Sequence, residues 1–262
     1  MKDILCATDL SPASDTALYH ALLIAGRAGK HVDLLHVLDK HASEESEARA
    51  REHMAHRIAE AGGSEVARVV IMRGDPLTAI TEAASHAHGL VVLCTHGPRG
   101  LRQSLFGADI LKLVRKLPIP ALVVQEHSPR REMLDRIVMP VAAHEDVDKL
   151  EDITIELARL FAAEVEVYEV IRPLGAASEE LARNKRETLR RLAEEGVRHR
   201  EVNEESEVFS AGFAEPTIRH AEKAGASCIA MMAHASREYR FIADAEKERM
   251  FTNTPGIPVL CA

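Results

Sequence analysis

The sequence contains few aromatic residues: they make up 3% of the chain, and there is no tryptophan. Its core must therefore be built from Val, Leu, Ile, Ala and Met. No apolar run approaches the roughly 20 residues needed to span a bilayer. The start, Met1 to Ile4, leads straight into a predicted strand and lacks the apolar segment of a signal peptide. We therefore expect a cytoplasmic protein with no membrane partner.

Cysteine is also scarce, and its placement excludes a disulfide framework. The four cysteines stand singly in or beside apolar runs, and no two form a CxxC pair. This placement is typical of buried free thiols in a reducing compartment. The residues concerned are Cys6, Cys94, Cys228 and Cys261.

A surplus of positive charge is missing as well. The formal net charge is -8, which argues against non-specific binding of nucleic acid. Histidine is plentiful, with close pairs at His53 and His56 and at His86 and His88. No third ligand follows either pair at a diagnostic spacing, so we expect no metal site.

An internal repeat is the most informative feature that is present. "ILCATDLS" from Ile4 returns as "IVMPVAAH" from Ile137, an offset of 133 positions. "LVVLCTHG" from Leu90 returns as "CIAMMAHA" from Cys228, an offset of 138. The repeat predicts two domains, 1–127 and 135–262, joined by a charged linker. The change of offset predicts a net insertion between the second and third strands of the second copy.

Each copy shows a strand–helix alternation that predicts a doubly wound, Rossmann-like parallel sheet of five strands. The apolar runs are continuous, which is typical of a sheet covered on both faces. Ser11-Pro12 and Asp75-Pro76 predict two helix starts. Residues 174–205, rich in both charges, predict a solvated helix with i,i+4 ion pairs. The predicted strands of the first copy lie near 3–8, 32–38, 66–72, 89–94 and 120–125.

Two strand ends of the first copy point to a ligand. In such sheets ligands bind beyond the carboxyl ends of the strands, here at "ATDLS" from Ala7 and "CTHGPRG" from Cys94. An anion at the glycine-rich end would meet backbone N–H groups and a helix N-terminus. Asp9 is suited to accept hydrogen bonds from ribose hydroxyls or a base amino group. Glycines at this turn are also compatible with a turn that binds nothing.

Several motifs together resemble those of one known protein family. They are "ILCATDLS", "LLHVL", "RGDPLTAI", "PIPALVV" and a glycine signature of the form G-x2-G-x9-G-S/T, here "CTHG-PRGLRQSLF-GA". The chain resembles the universal stress protein family, and the repeat makes it similar to the tandem type. This resemblance implies two domains of the adenine nucleotide α-hydrolase-like fold. It also implies that they form a pseudo-dimer.

The resemblance further implies an adenine nucleotide, ATP or AMP, in the first domain, with Mg²⁺ left open. Cys94 stands where the first signature glycine belongs, and its side chain is expected to crowd the ribose. Ala108 stands where Ser or Thr belongs, so one phosphate contact is lost, an effect of about tenfold on affinity. The implied binding residues are Ala7, Thr8, Asp9, Val37, Leu93, Cys94, Gly97, Gly100, Gly107 and Ala108.

The second copy has lost the signature. Ala142 replaces Asp9, alanine replaces both aligned glycines, and Glu246 aligns with Ala108. We expect a carboxylate at the phosphate position and no nucleotide there. His96 and His234 align and are expected to hold the loop by a hydrogen bond.

Partners follow from the resemblance too. In this family the last strand pairs with its copy, which implies self-association through 119–125 and 257–262, with further homodimerisation and an unidentified protein partner left open. Three functions remain. The first is a regulatory, non-enzymatic nucleotide-binding protein, with slow ATP hydrolysis left open. The second is an interaction scaffold that binds no nucleotide. An adenylyltransferase or pyrophosphatase is disfavoured, because the HxGH and SGGxDS motifs are absent.

Overall fold

The structure is a computed structural model, and it describes residues 1–95, 110–171, 178–205, 212–235 and 243–262. The chain divides into two compact units, Met1–Glu132 and Met133–Ala262. The domain limits 1–127 and 135–262 stay predictions. In the part of the chain that is described, no helix is both long and apolar enough to cross a membrane.

Strands and helices alternate along the first unit, as its apolar runs predict. Its elements are β1 (Asp3–Thr8), α1 (Ser14–Ala28), β2 (Val32–Leu38), α2 (Glu44–Glu60), β3 (Ala67–Arg73), α3 (Pro76–Ala84), β4 (His88–Thr95), α4 (Ile110–Lys116) and β5 (Ala121–Gln125).

The second unit follows the same plan. Its elements are β6 (Arg136–Pro140), α5 (Asp148–Phe161), β7 (Glu164–Ile171), α6 (Glu179–Glu194), β8 (Arg198–Glu205), α7 (Ala214–Lys223), β9 (Cys228–Met231), α8 (Ala243–Phe251) and β10 (Val259–Cys261).

Each unit contains a parallel sheet whose strand order reverses once. The first unit has the order β3-β2-β1-β4-β5 and the second has the equivalent order β10-β9-β6-β7-β8. The reversal falls between β1 and β4 in the first unit and between β6 and β9 in the second. The predicted α/β class with two doubly wound units is therefore confirmed. Ligands are expected beyond the carboxyl ends of the strands at these reversals.

The third strand of each unit departs from the predicted burial. β3 and β8 stand at one end of their orders and are partly exposed along their length. The prediction that both faces are covered therefore fails for these strands. The prediction of a helix over 174–205 is also wrong in part, because its last eight residues form β8 beside β7. Charged side chains are tolerated there because an outer strand leaves them in water.

The net insertion in the second unit also lies elsewhere than predicted. Asp33 is in register with Arg68 in the first unit, and Glu166 with Arg200 in the second, so the repeat continues nearly unshifted into the third strands. Two residues separate β3 from α3, whereas eight separate β8 from α7. The insertion thus follows the third strand and falls between β8 and α7.

One of the two predicted helix starts is confirmed. Asp75 caps α3, its carboxylate accepting a hydrogen bond from the backbone N–H of Thr78, with Pro76 at the first helical position. Ser11 does not cap α1, which begins at Ser14 after Ala13. Residues 11 to 13 instead form tight turns, because the Asp9 carboxylate binds the Ser11 N–H and draws the chain into a turn before the helix.

Candidate functional site

The end of β1 is held in a fixed turn by Asp9. One carboxylate oxygen of Asp9 accepts hydrogen bonds from the backbone N–H of Ser11 at 3.0 Å and from the hydroxyls of Ser11 and Ser14, each at 2.5 Å. Leu10, between them, has a positive φ of 65°, a conformation that costs a non-glycine residue energy. The residue predicted to contact a ribose therefore also organises the chain before α1.

The ends of β1 and β2 are tied together by a histidine. His36 lies in β2, and its Nδ1 is 2.9 Å from the carbonyl oxygen of Thr8. Ala7, Thr8 and Val37 are all buried at these neighbouring strand ends. The structure thus brings together the residues that the sequence assigned to one side of the site.

Cys94 lies near the end of β4, and its thiol packs against the segment that precedes α1. Its Sγ donates to the carbonyl oxygen of Ala13 at 3.1 Å, and the side chain is 2% exposed. Burial is the main cause that raises the pKa of Cys94 to about 12, and the nearby negative charges of Asp9 and other carboxylates contribute to this rise. The thiol is therefore protonated and engaged with the protein. Leu93, its neighbour, is fully buried in the core.

The rest of the predicted binding loop lies outside the described residues. This applies to Gly97, Gly100, Gly107 and Ala108, and also to His96. The described part of the first unit contains a hollow of about 10 Å³ between α1 and α2, bordered by Thr8, Leu10 and Arg57. That space suits roughly one water molecule.

The second unit contains a larger hollow, which the sequence did not predict. It has a volume of about 80 Å³ and lies at the carboxyl ends of β6, β7 and β9, bordered by residues of α5, α6, α7 and α8. Its walls are mainly apolar. The residues that line it are Met139, Pro140, Val141, Ala142, His144, Val147, Leu150, Tyr168, Glu169, Val170, Leu181, Asn184, Thr188, Phe213, Thr217, Met231, Met232, Ala243 and Lys247.

Lys247 is a charged residue on the wall of this mainly apolar hollow. Lys247 is only 3% exposed, and its ammonium donates a hydrogen bond to the carbonyl oxygen of Met232. The ammonium also lies 5.8 Å from the centre of the Phe213 ring, within the range of a cation–π contact. Ala243, Lys247 and Met250 are buried on α8. Their spacing in the sequence is that of one helix face, and this signal could have revealed that the Lys247 side chain faces inward.

His144 stands on the wall of the same hollow and is uncharged at neutral pH. Burial, reinforced by the positive charge of Lys247, lowers the pKa of His144 to about 4. Asn184 closes this side of the hollow, because its amide donates to the carbonyl oxygens of Ala142 at 3.1 Å and His144 at 2.8 Å.

Glu246 does not play the part that the alignment predicted. Its carboxylate accepts a hydrogen bond from the backbone N–H of Ala214 at 2.8 Å and lies 3.3 Å from a guanidinium nitrogen of Arg249. It therefore satisfies a donor at the start of α7 and does not line the hollow. The expectation of a carboxylate in the ligand position is wrong. The next residue, Lys247, lines the hollow instead.

Sequence comparison decides the family of the first unit. Residues 1–125 match the model of the universal stress protein family. The first unit is therefore a universal stress protein domain. No curated protein matches the sequence.

Solved structures extend the likeness of fold over both units. A universal stress protein from Archaeoglobus fulgidus aligns with 100% of this chain and 96% of its own, at 18% identity and a TM-score of 0.74. One from Pseudomonas aeruginosa aligns with 98% of this chain and 91% of its own, at 20% identity and a TM-score of 0.61. A universal stress protein in complex with cAMP aligns with 47% of this chain and 95% of its own, at 20% identity and a TM-score of 0.36. The first two of these structures, which align over both units, show that the second unit shares their fold.

Proposed function

We propose that this protein is a cytoplasmic regulatory protein that binds an adenine nucleotide, ATP or AMP, in its first unit. The observation that supports it best is the placement of two strand ends. The Asp9 turn follows β1, the glycine signature follows β4, and β1 and β4 are hydrogen-bonded neighbours where the strand order reverses. This is the place at which open α/β sheets bind nucleotides.

The Asp9 turn is held by hydrogen bonds within the protein, which supports the proposal energetically. The hydrogen bonds from Ser11 and Ser14 hold the Asp9 carboxylate in one orientation. A group that is already ordered loses less entropy when it binds. Cys94, the residue least favourable to a ribose, has its thiol occupied by the carbonyl oxygen of Ala13.

The proposed role is binding without rapid turnover. The sequence offers no carboxylate or histidine arranged to activate water at this site. Bound nucleotide would then report the state of the cell, with Mg²⁺ as an accompanying ion for ATP. The self-association predicted for 119–125 and 257–262 is part of the same proposal, because a regulatory protein acts through its surfaces. An unidentified protein partner would read out the bound state.

Calorimetric titration with ATP, ADP and AMP tests the proposal. Gly107→Asp places a negative charge among the predicted phosphate contacts, and we expect it to abolish the affinity. Ala108→Ser restores a hydroxyl donor and should raise the affinity about tenfold. Ala245→Asp is the matched control: position 245 is the equivalent of Gly107 in the second unit and is exposed, so nucleotide affinity should not change.

Two outcomes would contradict the proposal. Unchanged affinity in Gly107→Asp would mean that the nucleotide binds elsewhere. A protein that releases no adenine nucleotide on denaturation, and whose melting temperature does not respond to Mg-ATP, would instead support an interaction scaffold that has lost nucleotide binding.

A further inference from the structure

The hollow of the second unit lies where open α/β sheets bind small molecules. It is at the carboxyl ends of β6 and β9, between which the strand order reverses, and the helices diverge at such a point and leave a crevice. Its walls are deep, since Leu150, Tyr168 and Thr217 line it and each is 1% exposed. The hollow therefore has a size and depth that suit a small molecule and not a strand or helix of another protein. Nothing about it depends on nucleotide binding in the first unit.

The strand ends at this hollow carry apolar side chains where the first unit has polar ones. The first unit has Thr8 and Asp9 at the end of β1, whereas the equivalent positions at the end of β6 are Val141 and Ala142, which line the hollow. Valine and alanine side chains offer a ligand no hydrogen bond. The second copy thus keeps a crevice at the reversal of strand order but presents apolar surface at these two positions.

The backbone acceptors at the same strand ends are occupied by side chains of the second unit. The amide of Asn184 donates to the carbonyl oxygens of Ala142 at 3.1 Å and His144 at 2.8 Å. The ammonium of Lys247 donates to the carbonyl oxygen of Met232. A carbonyl oxygen that already accepts a hydrogen bond gains less from a polar ligand than an unbonded one. The polar edge of the sheet is thereby largely withdrawn from the hollow.

Other polar side chains on the wall are also bonded within the unit. The hydroxyl of Thr217 donates to the carbonyl oxygen of Phe213 at 2.7 Å, and the carboxylate of Glu169 lies 2.6 Å from the ammonium of Lys185. His144 is uncharged at neutral pH, because burial lowers its pKa to about 4. A charged ligand would lose its hydration in the hollow and would have to compete with these existing bonds for a partner.

We propose that this hollow binds a small, uncharged and mainly apolar molecule, with its hydrocarbon part against Leu150, Phe213 and the methionines Met231 and Met232. The volume of about 80 Å³ is roughly half that of an apolar cavity that binds benzene. A chain of about four carbons fills such a space, and a longer chain extends from it into water.

Three ligands of similar length test the charge preference on the unmodified protein. Butan-1-ol, butyrate and butylamine are titrated at pH 7 into protein labelled with ¹³C in its methionine methyl groups. We expect butan-1-ol to shift the methyl resonances of Met139, Met231 and Met232, which line the hollow, and to bind at least about tenfold more tightly than either ion. Met54, buried in the first unit, is the internal control. Equal binding of either ion at these methionines, or no binding of butan-1-ol, would overturn the proposal.

A series of alcohols tests the size of the ligand. Each methylene that enters the hollow should raise the affinity about fourfold. The affinity should therefore rise steadily from ethanol to butan-1-ol and then by less than about twofold per carbon, because further carbons stay in water. A rise that continues undiminished to octan-1-ol would place the chains on an open surface and contradict the assignment.

An enlarged hollow should accept a longer chain. Leu150→Ala removes about three carbons from the wall, so the length at which the affinity stops rising should increase by about three carbons. Leu157→Ala is the matched control, because Leu157 is equally buried on α5 but is not among the residues that line the hollow. An unchanged limit of chain length in a folded Leu150→Ala variant would contradict the location of the site.

A polar side chain at a strand end should remove the ligand without enlarging the hollow. Ala142→Asp introduces at this position the residue that the first unit has at Asp9, and its hydrated carboxylate should weaken butan-1-ol at least about tenfold. Ala245→Asp makes the same change at an exposed position of α8 and should leave the affinity unchanged. Butan-1-ol that binds Ala142→Asp as tightly as the unmodified protein would contradict the proposal.

The two binding proposals fail separately. Gly107→Asp acts on the first unit and should leave butan-1-ol binding intact, whereas Ala142→Asp should leave ATP and AMP binding intact. A folded variant in one unit that loses both ligands would show a single shared site and overturn the inference.

Discussion

His88 and Asp33 form a buried pair in the first unit, with Nε2 of the imidazole 3.0 Å from a carboxylate oxygen. The other ring nitrogen of His88 lies 3.1 Å from the carbonyl oxygen of Ala83, so both nitrogens face acceptors. Arg68, the register partner of Asp33 on β3, binds the same carboxylate. Asp33 thus joins β2, β3 and β4 near the amino ends of these strands.

The second unit repeats this cluster with different residues. Glu166 is fully buried and accepts from Arg200, its register partner on β8, and from His220 at 2.7 Å. His220 comes from α7, whereas His88 comes from the start of β4. Each unit therefore neutralises a buried acid with an arginine and a histidine, although the two histidines do not occupy equivalent positions in the repeat.

The clusters predict that acid destabilises the fold. Burial opposes ionisation of Asp33, but hydrogen bonds from Arg68 and His88 outweigh it, so the pKa of Asp33 is lowered. A lowered carboxylate pKa contributes stability above the ordinary value of about 4, and that stability is lost as the pH falls through the folded value. We expect Asp33→Asn to reduce the free energy of unfolding by about 1.5–3 kcal/mol at pH 7, and the difference to shrink below about pH 4.

Urea unfolding between pH 3 and pH 7 checks this. Glu52→Gln removes an exposed carboxylate of α2 and is the control, expected to change little at any pH. A difference between the unmodified protein and Asp33→Asn that persists undiminished at pH 3 would contradict the electrostatic explanation.

The four cysteines are predicted to be inert in the folded protein. Cys6, Cys94, Cys228 and Cys261 are all free and buried, and burial is the main cause that raises the pKa of Cys94 and of Cys228 to about 12. A disulfide reagent attacks the thiolate. Native protein at pH 8 should therefore react only as fast as it unfolds, whereas four thiols should react at once in guanidinium chloride.

An introduced exposed thiol calibrates that experiment. Glu65→Cys lies on the surface and should react within the first seconds while the native four do not. Rapid reaction of one native thiol in the folded protein would contradict this prediction, and Cys94→Ala would show whether the reactive thiol is the one beside the candidate nucleotide site.

A matched pair at the ends of α1 and α5 tests backbone strain. Gly29 and Ala162 are separated by the repeat offset and both end a helix in the left-handed conformation, with φ of 63° and 52°. The left-handed conformation is unfavourable for a residue with a Cβ atom, whereas glycine adopts it without that cost. Ala162→Gly should raise the free energy of unfolding by about 0.5–1 kcal/mol, after allowance for the greater entropy of the unfolded chain.

The reverse change should destabilise the protein. A Cβ atom at Gly29 would meet nothing within 4 Å, so Gly29→Ala isolates the conformational penalty, about 1 kcal/mol. Both free energies are obtained from urea unfolding. Equal stability of Ala162→Gly and the unmodified protein would show that the helix end relaxes without strain.

The sequence alone determined the fold class and placed every first-unit strand boundary within one residue. The predicted strands 3–8 and 32–38 coincide with β1 and β2, because continuous apolar runs between turn signals are a local property of the chain. The repeat revealed two units for the same reason, because matched apolar runs at a fixed offset can be recognised in the sequence without knowing which residues are in contact. Ala7 and Thr8 end β1, as the apolar run predicts, whereas their role in binding stays a prediction.

Tertiary structure decided which side chains meet. Lys247 lines the hollow and Glu246 caps α7, although the two are adjacent in sequence and both carry charge. His88 and His220 reach equivalent acids from elements that the repeat does not align. Such partnerships depend on how a helix face turns against a sheet and on where an insertion falls, and neither is encoded in a local pattern. The lining of the second-unit hollow is therefore a property of the packed molecule.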